Sequence, residues 1–519
     1  MSNYPNLPGV NMTLKDGQMR VTSSANGPKI LIIAPVKASA SVLVPEEPVL
    51  ISNENELVSK FGGYFTANIL NPIAAEWRIA RQIGGVSVYL LALTGETKKE
   101  QFINLYHTLF GDLQEFDAQH VILVGLNADD FITGVTKTDF QFQEDKDAFP
   151  SVKGILSNYI ATAAVVPVVG SFPLTVTALT QTITLTVSGE EVALTVPATT
   201  YATPAALIAA VQLSLTTAPI FGTKSLILNG TGKAVLTLSE AFTIGVGSIM
   251  TALALGGVTP VVEAKGNPAA LLSAYAEEQN ANVGDTVAYI GVGAPAGTQL
   301  SDIKAQVNTL LALDNQYSQY LQVIAGPSVG VTVPGSLRMQ WTNGATNYAC
   351  LTAGLPPQVA PTNQTLLGTT ALRYNLSLRQ LNDLTGKKYV TFRAKNGRIS
   401  VVDGVTTAPD ILIGEDLVKS DYTRLSTLRI VNHVVKATRE ALDAFIGAPN
   451  EFQMYTAMNT AIKGVIKEAI DRAIIQDARY TIKLGLTSLD TSVVEMTVLP
   501  QFELRTVQVS IGLSTPETY

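Results

Sequence analysis

The residue types that most often carry catalysis are scarce in this sequence. Its histidines are His107, His120 and His433, and its single cysteine is Cys350. None of them has neighbours in the spacing of a metal or redox site, such as HExxH or CxxC. Cys350 precedes Leu-Thr-Ala-Gly rather than a recognisable nucleophile motif, and a small buried side chain is the simpler interpretation. We therefore expect no catalytic residue and no metal site.

Two glycine-rich stretches resemble phosphate-binding loops but depart from their patterns. Residues 229–233, Asn-Gly-Thr-Gly-Lys, lack the earlier glycine of a P-loop, and Ala234 stands where Ser or Thr would hold magnesium. Residues 291–297 lie between a predicted strand and a predicted helix, but the third glycine of a dinucleotide loop comes one position late and a proline interrupts it. Asp129-Asp130 and the acidic run 144–147 are interpreted as solvated loops. We expect no cofactor.

Composition argues against two further classes of protein. The 519 residues include 35 Lys and Arg against 42 Asp and Glu, so no basic patch suited to nucleic acid is expected. Long uncharged runs such as 154–189 could span a membrane, but threonines and prolines interrupt them, and we expect no membrane insertion. The N-terminal residues lack a secretory signal pattern, and a single cysteine fits folding in a reducing cytosol.

The order of apolar patterns predicts a multidomain protein of α/β and α+β class. Strand and helix patterns alternate before residue 165 and again after residue 262. A further helix is expected after Pro150. Between residues 165 and 262 the sequence instead alternates Thr with Val and Leu. We therefore expect an α/β domain interrupted by an inserted β-sandwich. The predicted domains are an extended N-terminal arm (1–26), the first part of the α/β domain (27–164), the insertion (165–262), the second part of the α/β domain (263–345) and a C-terminal α+β assembly domain with a terminal strand arm (346–519).

The last hundred residues contain the clearest pattern in the chain. Apolar residues from Leu425 to Phe445 and from Phe452 to Ala469 recur at helical spacing, and Gly447-Ala448-Pro449 separates the two runs. Three alternating segments then follow, from Tyr480 to the end of the chain. The pattern predicts a helix pair packed against strands.

Short motifs in a fixed order identify a resemblance to a known family. They include Leu7-Pro8-Gly9-Val10 near the start, Gly354-Leu355-Pro356-Pro357, Ala360-Pro361-Thr362-Asn363, and Pro449-Asn450 before the second C-terminal helix. In this order the chain resembles the tail sheath proteins of contractile bacteriophages and of related contractile injection systems. It departs from them at Gln358-Val359, where a tryptophan is common, and at Val405-Thr406, where an Arg-Thr pair is common.

The resemblance implies a structural subunit of a contractile phage tail sheath, not an enzyme. Such a subunit polymerises helically around a tail tube and contracts to drive the tube through the host envelope. The implied partners are further copies of the chain, the tail tube protein, and the baseplate and tail terminator proteins, with no nucleic acid. The implied location is the virion tail, assembled in the cytoplasm of the bacterial host.

Two sets of residues are candidates for assembly contacts. The first set would pair with the strands of neighbouring subunits: Val10, Met12, Leu14, Val494, Met496, Val498, Val507, Val509 and Ile511. The second set is expected on the second C-terminal helix and would face the tube: Lys463, Lys467 and Arg472. An ordinary solvated helix face is the alternative for the second set.

Three other functions stay open at this point. Another tail protein, such as a baseplate or tube-associated subunit, would share the structural class. A nucleotide-dependent α/β enzyme would use residues 291–297 as its loop. An adhesin-like ligand site in the threonine-rich insertion would be compatible with a sheath role.

Overall fold

The computed structural model describes residues 28–503 apart from internal gaps, of which 136–157, 163–171 and 485–491 are the longest. The helices are α1 Glu54–Phe61, α2 Pro72–Ile83, α3 Lys98–His107, α4 Pro204–Thr217, α5 Ser248–Ala252, α6 Pro268–Asn282, α7 Leu300–Ala312, α8 Ala345–Gly354, α9 Leu378–Gly386, α10 Leu425–Asp443 and α11 Phe452–Asp471. A π-helical turn at Thr108–Asp112 extends α3, and a 3-10 turn at Asp421–Thr423 precedes α10.

The strands follow the chain from the first described residues to the last. They are β1 Lys29–Pro35, β2 Val49–Leu50, β3 Phe65–Thr66, β4 Ile69–Leu70, β5 Ser87–Leu93, β6 His120–Leu123, β7 Asn158–Thr162, β8 Leu174–Thr175, β9 Thr182–Val187, β10 Glu190–Thr195, β11 Thr200–Tyr201, β12 Lys224–Leu228, β13 Ala234–Leu238, β14 Phe242–Ile244, β15 Val261–Glu263, β16 Val287–Gly291, β17 Leu321–Ile324, β18 Val329–Val331, β19 Gln340–Thr342, β20 Ala371–Leu372, β21 Tyr389–Val390, β22 Phe392–Lys395, β23 Arg398–Val401, β24 Ile411–Ile413, β25 Asp416–Val418, β26 Ile475–Leu484 and β27 Ser492–Pro500.

A seven-stranded sheet forms the centre of the molecule, in the order β2-β5-β1-β6-β16-β17-β21. All its pairs are parallel except β2 with β5. Its strands are apolar runs such as Ile30 to Ala34, buried on both faces, as parallel strands covered by helices usually are. Strands β1, β5 and β6 precede the threonine-rich region and β16 and β17 follow it, so one sheet joins the two halves of the α/β pattern. The fold is thus mixed α/β, with small antiparallel sheets around a mainly parallel one.

The threonine-rich region has a hydrophobic cluster of its own, separate from the main core. Antiparallel sheets β10-β9-β14 and β12-β13-β7-β15 surround it together with α4, whose N-cap Thr203 accepts a hydrogen bond from the Ala206 backbone N–H. Strand β7 pairs with β13 and β15, so this unit begins before residue 165. The helix expected after Pro150 falls in part on residues 150–157, which lie outside the described residues. The next residues, Asn158–Thr162, form a strand because their partners lie in this antiparallel sheet. The domain boundaries themselves stay predictions.

The chain leaves the α/β body near Ile132 and returns to it near Gly266, and these two residues form a β-bridge. Ile132 and Gly266 exchange backbone hydrogen bonds, with N to O distances of 2.9 and 2.8 Å. A Cβ added to Gly266 would lie 2.4 Å from the ring of Phe102 on α3, so the chain passes against α3 at this point. The two crossing points of the chain are therefore adjacent, as they are in a domain insertion.

The C-terminal module has the predicted helices, and its strands form a hairpin. Helix α10 packs against α11, and α11 packs against β26. Both helices and the hairpin belong to the main hydrophobic core, whose members range from Ile30 to Val498 and exclude the insertion. Among the described helices, none has the length and apolar character that a bilayer span needs.

Replacement of residues 136–264 by a short Gly-Ser linker should leave a folded α/β body. The main core keeps all its residues, because the insertion has a separate hydrophobic cluster. We expect one cooperative thermal transition within a few degrees of the main transition of the full chain, measured by calorimetry. The matched change Gly266→Ala in the full chain should destabilise it, because the new Cβ clashes with Phe102. Aggregation of the shortened chain without a transition would contradict the insertion model.

Glu76 on α2 is a carboxyl group inside the main core. Its residue surface is 5% exposed, and burial raises its pKa from 4.5 to about 7. Between those two values the folded state binds more protons than the unfolded state. The contribution of Glu76 to the free energy of unfolding is therefore largest below its unfolded pKa of 4.5. It falls as the pH rises towards 7 and does not change further at higher pH.

Substitution Glu76→Gln removes this dependence. At pH 8 the variant should be more stable than the wild type by about 3 kcal/mol, which corresponds to a pKa rise from 4.5 to about 7, and the gain should largely disappear near pH 5. Urea denaturation at both pH values measures the difference. The control variant Glu100→Gln should change the pH dependence of stability in the opposite direction, because backbone N–H groups of Glu96 and Thr97 lower the pKa of Glu100. If the stability difference between Glu76→Gln and the wild type were the same at both pH values, the raised pKa of Glu76 would be disproved.

Candidate assembly surface

The hairpin β26–β27 lies on α11 with one face. Along β27, Met496 and Val498 are buried and Val494 is partly buried, whereas the residues between them are exposed. The Tyr480 hydroxyl donates to the Asn459 backbone oxygen at 3.1 Å, and the Ser492 hydroxyl donates to the Tyr455 hydroxyl at 3.3 Å. Both bonds join the hairpin to α11. The inner face is therefore fixed, and the arm candidates Val494, Met496 and Val498 point towards α11.

The outer face of the hairpin mixes charged and polar side chains with the exposed Val493 and Leu499, and both edges lack a partner among the described strands. Lys483 and Glu495 form an ion pair of 2.6 Å across the strands, with both side chains about half exposed. Within the described residues, β26 pairs with β27 and neither strand has a second partner. A two-stranded sheet leaves a row of backbone N–H and C=O groups unpaired on each side, which is a template for a further strand.

The exposed side of α11 carries the proposed tube-facing cations. Lys463 and Lys467 are exposed and one helical turn apart, so they share a face. Arg472 follows the end of α11, and its guanidinium forms an ion pair of 2.7 Å with Glu468. The structure thus brings the two lysines together, whereas the charge of Arg472 is partly balanced within the chain.

The remaining arm candidates cannot be placed. Val10, Met12 and Leu14 precede the described residues, and Val507, Val509 and Ile511 follow them. Glu503, in contrast, is described and was not anticipated from the sequence. Its carboxylate accepts hydrogen bonds from the Arg424 guanidinium at 2.5 Å and the Ser426 hydroxyl at 3.3 Å. No local pattern signals this contact, because its partners lie 79 and 77 residues earlier.

Helix α10 holds this module on the α/β body through a buried polar stripe. The Arg429 guanidinium donates to the backbone oxygens of Leu355 and Pro356, which directly follow α8. Two turns later, the Lys436 ammonium lies 3.4 Å from Asp117 and 3.3 Å from Asp285, which precede β6 and β16. Lys436 is 8% exposed, so these contacts neutralise a charge that is almost buried.

His120 has a structural role. Its Nδ1 lies 2.9 Å from the Tyr289 hydroxyl, which lies 2.9 Å from the Thr352 hydroxyl. Thr352 donates its own proton to the Ala349 carbonyl, so Tyr289 donates to Thr352 and His120 donates through Nδ1. Burial, and to a lesser degree Arg429, lowers the pKa of His120 to about 3, so the imidazole is neutral. The chain of bonds connects β6, β16 and α8.

The other candidate catalytic side chains are held in similar ways. Burial lowers the pKa of His433 to about 4, helped by Arg472 and Arg429. His107 meets the ring of Tyr106 edge-on, with centroids 5.6 Å apart. Cys350 is fully buried, and burial raises the pKa of its thiol far above the usual range, which disfavours the thiolate form that a nucleophile needs. In the described part of the chain, no cluster of His, Cys, Asp and Glu could hold a metal ion.

The place where open α/β sheets usually bind ligands is occupied by the protein itself. The connections from β1 and β6 leave the sheet in opposite directions, which makes a switch point at their carboxyl ends. There a Cβ on Gly125 would lie 2.4 Å from Pro35, so the two residues already touch. The ends of β1 and β6 are therefore in direct contact at this switch point.

The glycine loop after β16 is also occupied. The Gly293 backbone N–H donates to the Asp129 carboxylate at 2.7 Å, and the other oxygen of that carboxylate accepts from the Gln306 amide at 3.0 Å. The Asn343 side chain packs on Gly291, where a Cβ would lie 2.1 Å from its nitrogen. A phosphate would have to displace a carboxylate of its own charge sign, which disfavours the nucleotide-dependent enzyme. The P-loop-like residues 229–232 and the acidic run 144–147 lie outside the described residues.

Solved structures similar to this chain come from contractile systems. A chain in the cryo-EM structure of the anti-feeding prophage (AFP) baseplate has a TM-score of 0.51 at 11% identity, covering 98% of this chain and 99% of that chain. A chain of the AFP helical sheath in its contracted state has a TM-score of 0.46 at 11% identity, with coverage of 98% and 99%. The sheath tail protein from Listeria innocua has a TM-score of 0.40 at 11% identity, with coverage of 93% and 94%.

No protein-family model and no curated protein matches the sequence. At 11% identity, the likeness to the AFP baseplate chain establishes a shared fold over nearly the whole length of both chains. The predicted resemblance is confirmed at the level of the fold by this chain of the AFP baseplate structure.

Proposed function

We propose that this chain is a structural subunit of a contractile tail sheath, of a phage or a related injection system. The observation that carries the proposal is the hairpin β26–β27, which ends a rigid body and presents two strand edges without partners among the described residues. The fold shared with a chain of the AFP baseplate structure supports the same class of assembly. The subunit polymerises helically around a tail tube and contracts to drive the tube through the host envelope.

Strand addition is the assembly contact that this geometry favours. Segments 1–27 and 504–519 of neighbouring copies, which carry Val10, Met12, Leu14, Val507, Val509 and Ile511, would pair with the free edges of the hairpin. A contact between two different surfaces of the same protein does not close on itself, so it generates a filament. The partners in addition to further copies are the tail tube, baseplate and tail terminator proteins.

The exposed face of α11 is our candidate for contact with the tube. The protein is acidic overall, with a net charge of −7, but Lys463 and Lys467 place two cations on one helical face. Such a face would be complementary to an acidic tube surface. Arg472 contributes less, because Glu468 is its partner.

The other proposed properties follow from this role. We infer a structural function rather than a catalytic one, because Asp129 and Pro35 fill the positions that a nucleotide would need. We place the protein in the virion tail, after assembly in the host cytoplasm. We propose the predicted order of domains, with the insertion lying between Ile132 and Gly266 rather than at 165–262. A baseplate position is the alternative role, since the AFP chain that shares the fold comes from a baseplate structure.

Removal of residues 1–21 tests the arm hypothesis. The described core begins after them, so the shortened protein should stay folded and soluble. It should form few or no long tubes, because one of the two exchanged strands is missing. Negative-stain electron microscopy of both purified proteins measures tube length. Tubes of normal length from the truncated chain would rule out the arm. Closed rings from the full chain, without open-ended tubes, would favour the baseplate role.

Reversal of the two lysine charges tests the tube face. The double variant Lys463→Glu and Lys467→Glu should fold and polymerise, but its binding to tail tubes should fall by tenfold or more at low salt, roughly as expected for opposed charges at an interface. Cosedimentation with tubes measures the binding. The double variant Lys304→Glu and Lys387→Glu makes the same charge change at exposed positions on α7 and directly after α9, and should bind as the wild type does. Equal binding by all three proteins would show that this face is merely solvated.

A further inference from the structure

Glu503 lies just after the hairpin β26–β27 and connects this part of the chain to the start of α10. Its carboxylate forms an ion pair of 2.5 Å with Arg424 and accepts from the Ser426 hydroxyl. The Glu503 side chain is 11% exposed and that of Arg424 33% exposed, so solvent screens the pair less than a surface pair. Charge-assisted hydrogen bonds of this kind are about twice as strong as neutral ones.

The start of α10 is a suitable place for this carboxylate. Arg424 is the N-cap residue of α10, and it makes no side-chain capping hydrogen bond to the first turn. Unpaired backbone N–H groups give a helix N-terminus partial positive charge, which favours an anion beside it. Glu503 thus supplies a negative charge to a helix that lacks a local one, from the far end of the C-terminal module.

The hairpin is weakest at the end that Glu503 adjoins. Strands β26 and β27 are joined through residues 485–491 at one end and are open at the other, where Ile475 faces Pro500. The register is irregular between Ile475 and Asp477, and the Gln501 backbone N–H reaches the Ile474 oxygen at 3.4 Å. A pull on the chain beyond β27 would act on this open end and break the strand hydrogen bonds one pair after another.

We propose that Glu503 is a mechanical anchor for the C-terminal segment. Force applied to residues 504–519 passes through Glu503 to Arg424 and Ser426, and so into α10, before it reaches the hydrogen bonds between β26 and β27. The proposal rests on the proposed function for the source of the force, which is a second copy of this chain that holds the segment. Glu503 is a positioning residue, since it acts through α10 and not on the second copy.

Single-molecule pulling on the full chain tests the anchor without any assembly. Handles are attached through Ser59→Cys on α1 and Tyr519→Cys, and the native Cys350 is buried, so labelling is specific. In the Glu503→Gln variant, the first opening event at a fixed force should be about tenfold faster than in the wild type, as expected for loss of a charged hydrogen bond. Combining Arg424→Glu with Glu503→Arg should restore much of the lost resistance.

The matched control is Glu495→Gln, which removes the exposed Lys483–Glu495 pair from the same hairpin. This pair has almost the same length but lies away from the open end, so its loss should change the opening rate less than twofold. Equal rates for Glu503→Gln and Glu495→Gln would overturn the anchor. So would an equal loss of resistance when the handle is moved from residue 519 to Ser492→Cys, because force then bypasses residue 503.

Tube formation separates this proposal from the proposed function. If the wild type forms tubes, Glu503→Gln tubes should be shorter or break more readily than Glu495→Gln tubes. Tubes of equal length and durability would overturn the role of the anchor in assembly. If the wild type forms no tubes, the proposed function fails, and the pulling rates alone decide whether Glu503 anchors the segment.

Discussion

The structure depends on two cations of one helix, Lys436, which is buried, and Arg429, which is partly buried. Helix α10 is covered on nearly all sides, by the α/β body on one side and by α11 on the other. Arg429 and Lys436 therefore need partners within the protein, and they find them in the carbonyl end of α8 and in Asp117 and Asp285. For the buried Lys436, loss of its carboxylate partners should cost about 3–5 kcal/mol, because the charge is left without compensation. Two such contacts on one helix allow little tilt.

The orientation of the hairpin follows from that of α10. Helix α11 packs on α10, and the hairpin packs on α11 through Tyr480, Met496 and Val498. The C-terminal module and the seven-stranded sheet share one continuous core, so no flexible joint separates them. A strand added to the hairpin by a neighbouring copy would therefore be held at a defined angle to the whole body. This is what a helical assembly requires, because small errors in angle accumulate along a filament.

Local patterns in the sequence were sufficient to predict the elements but not their surroundings. Apolar spacing from Leu425 to Phe445 predicted α10 correctly, yet Arg429 and Lys436 lie on what resembles a solvated face. The partners of Lys436 lie 319 and 151 residues earlier in the chain, so no local pattern could show that this face is buried. The strand at Asn158–Thr162 was likewise not apparent from local pattern, because its partners lie more than seventy residues later.

The loop after β16 has the position of a phosphate-binding loop, but a carboxylate of the protein takes its backbone hydrogen bond. Residues 291–297 follow a parallel strand and precede a helix, which is the context in which backbone N–H groups bind phosphate. Here the Asp129 carboxylate takes the Gly293 N–H, and Gln306 holds the same carboxylate in place. The hydrogen bonds that would bind a ligand instead tie β6 to β16 and α7. These hydrogen bonds connect the ends of two central strands, which suits a subunit whose proposed function is mechanical.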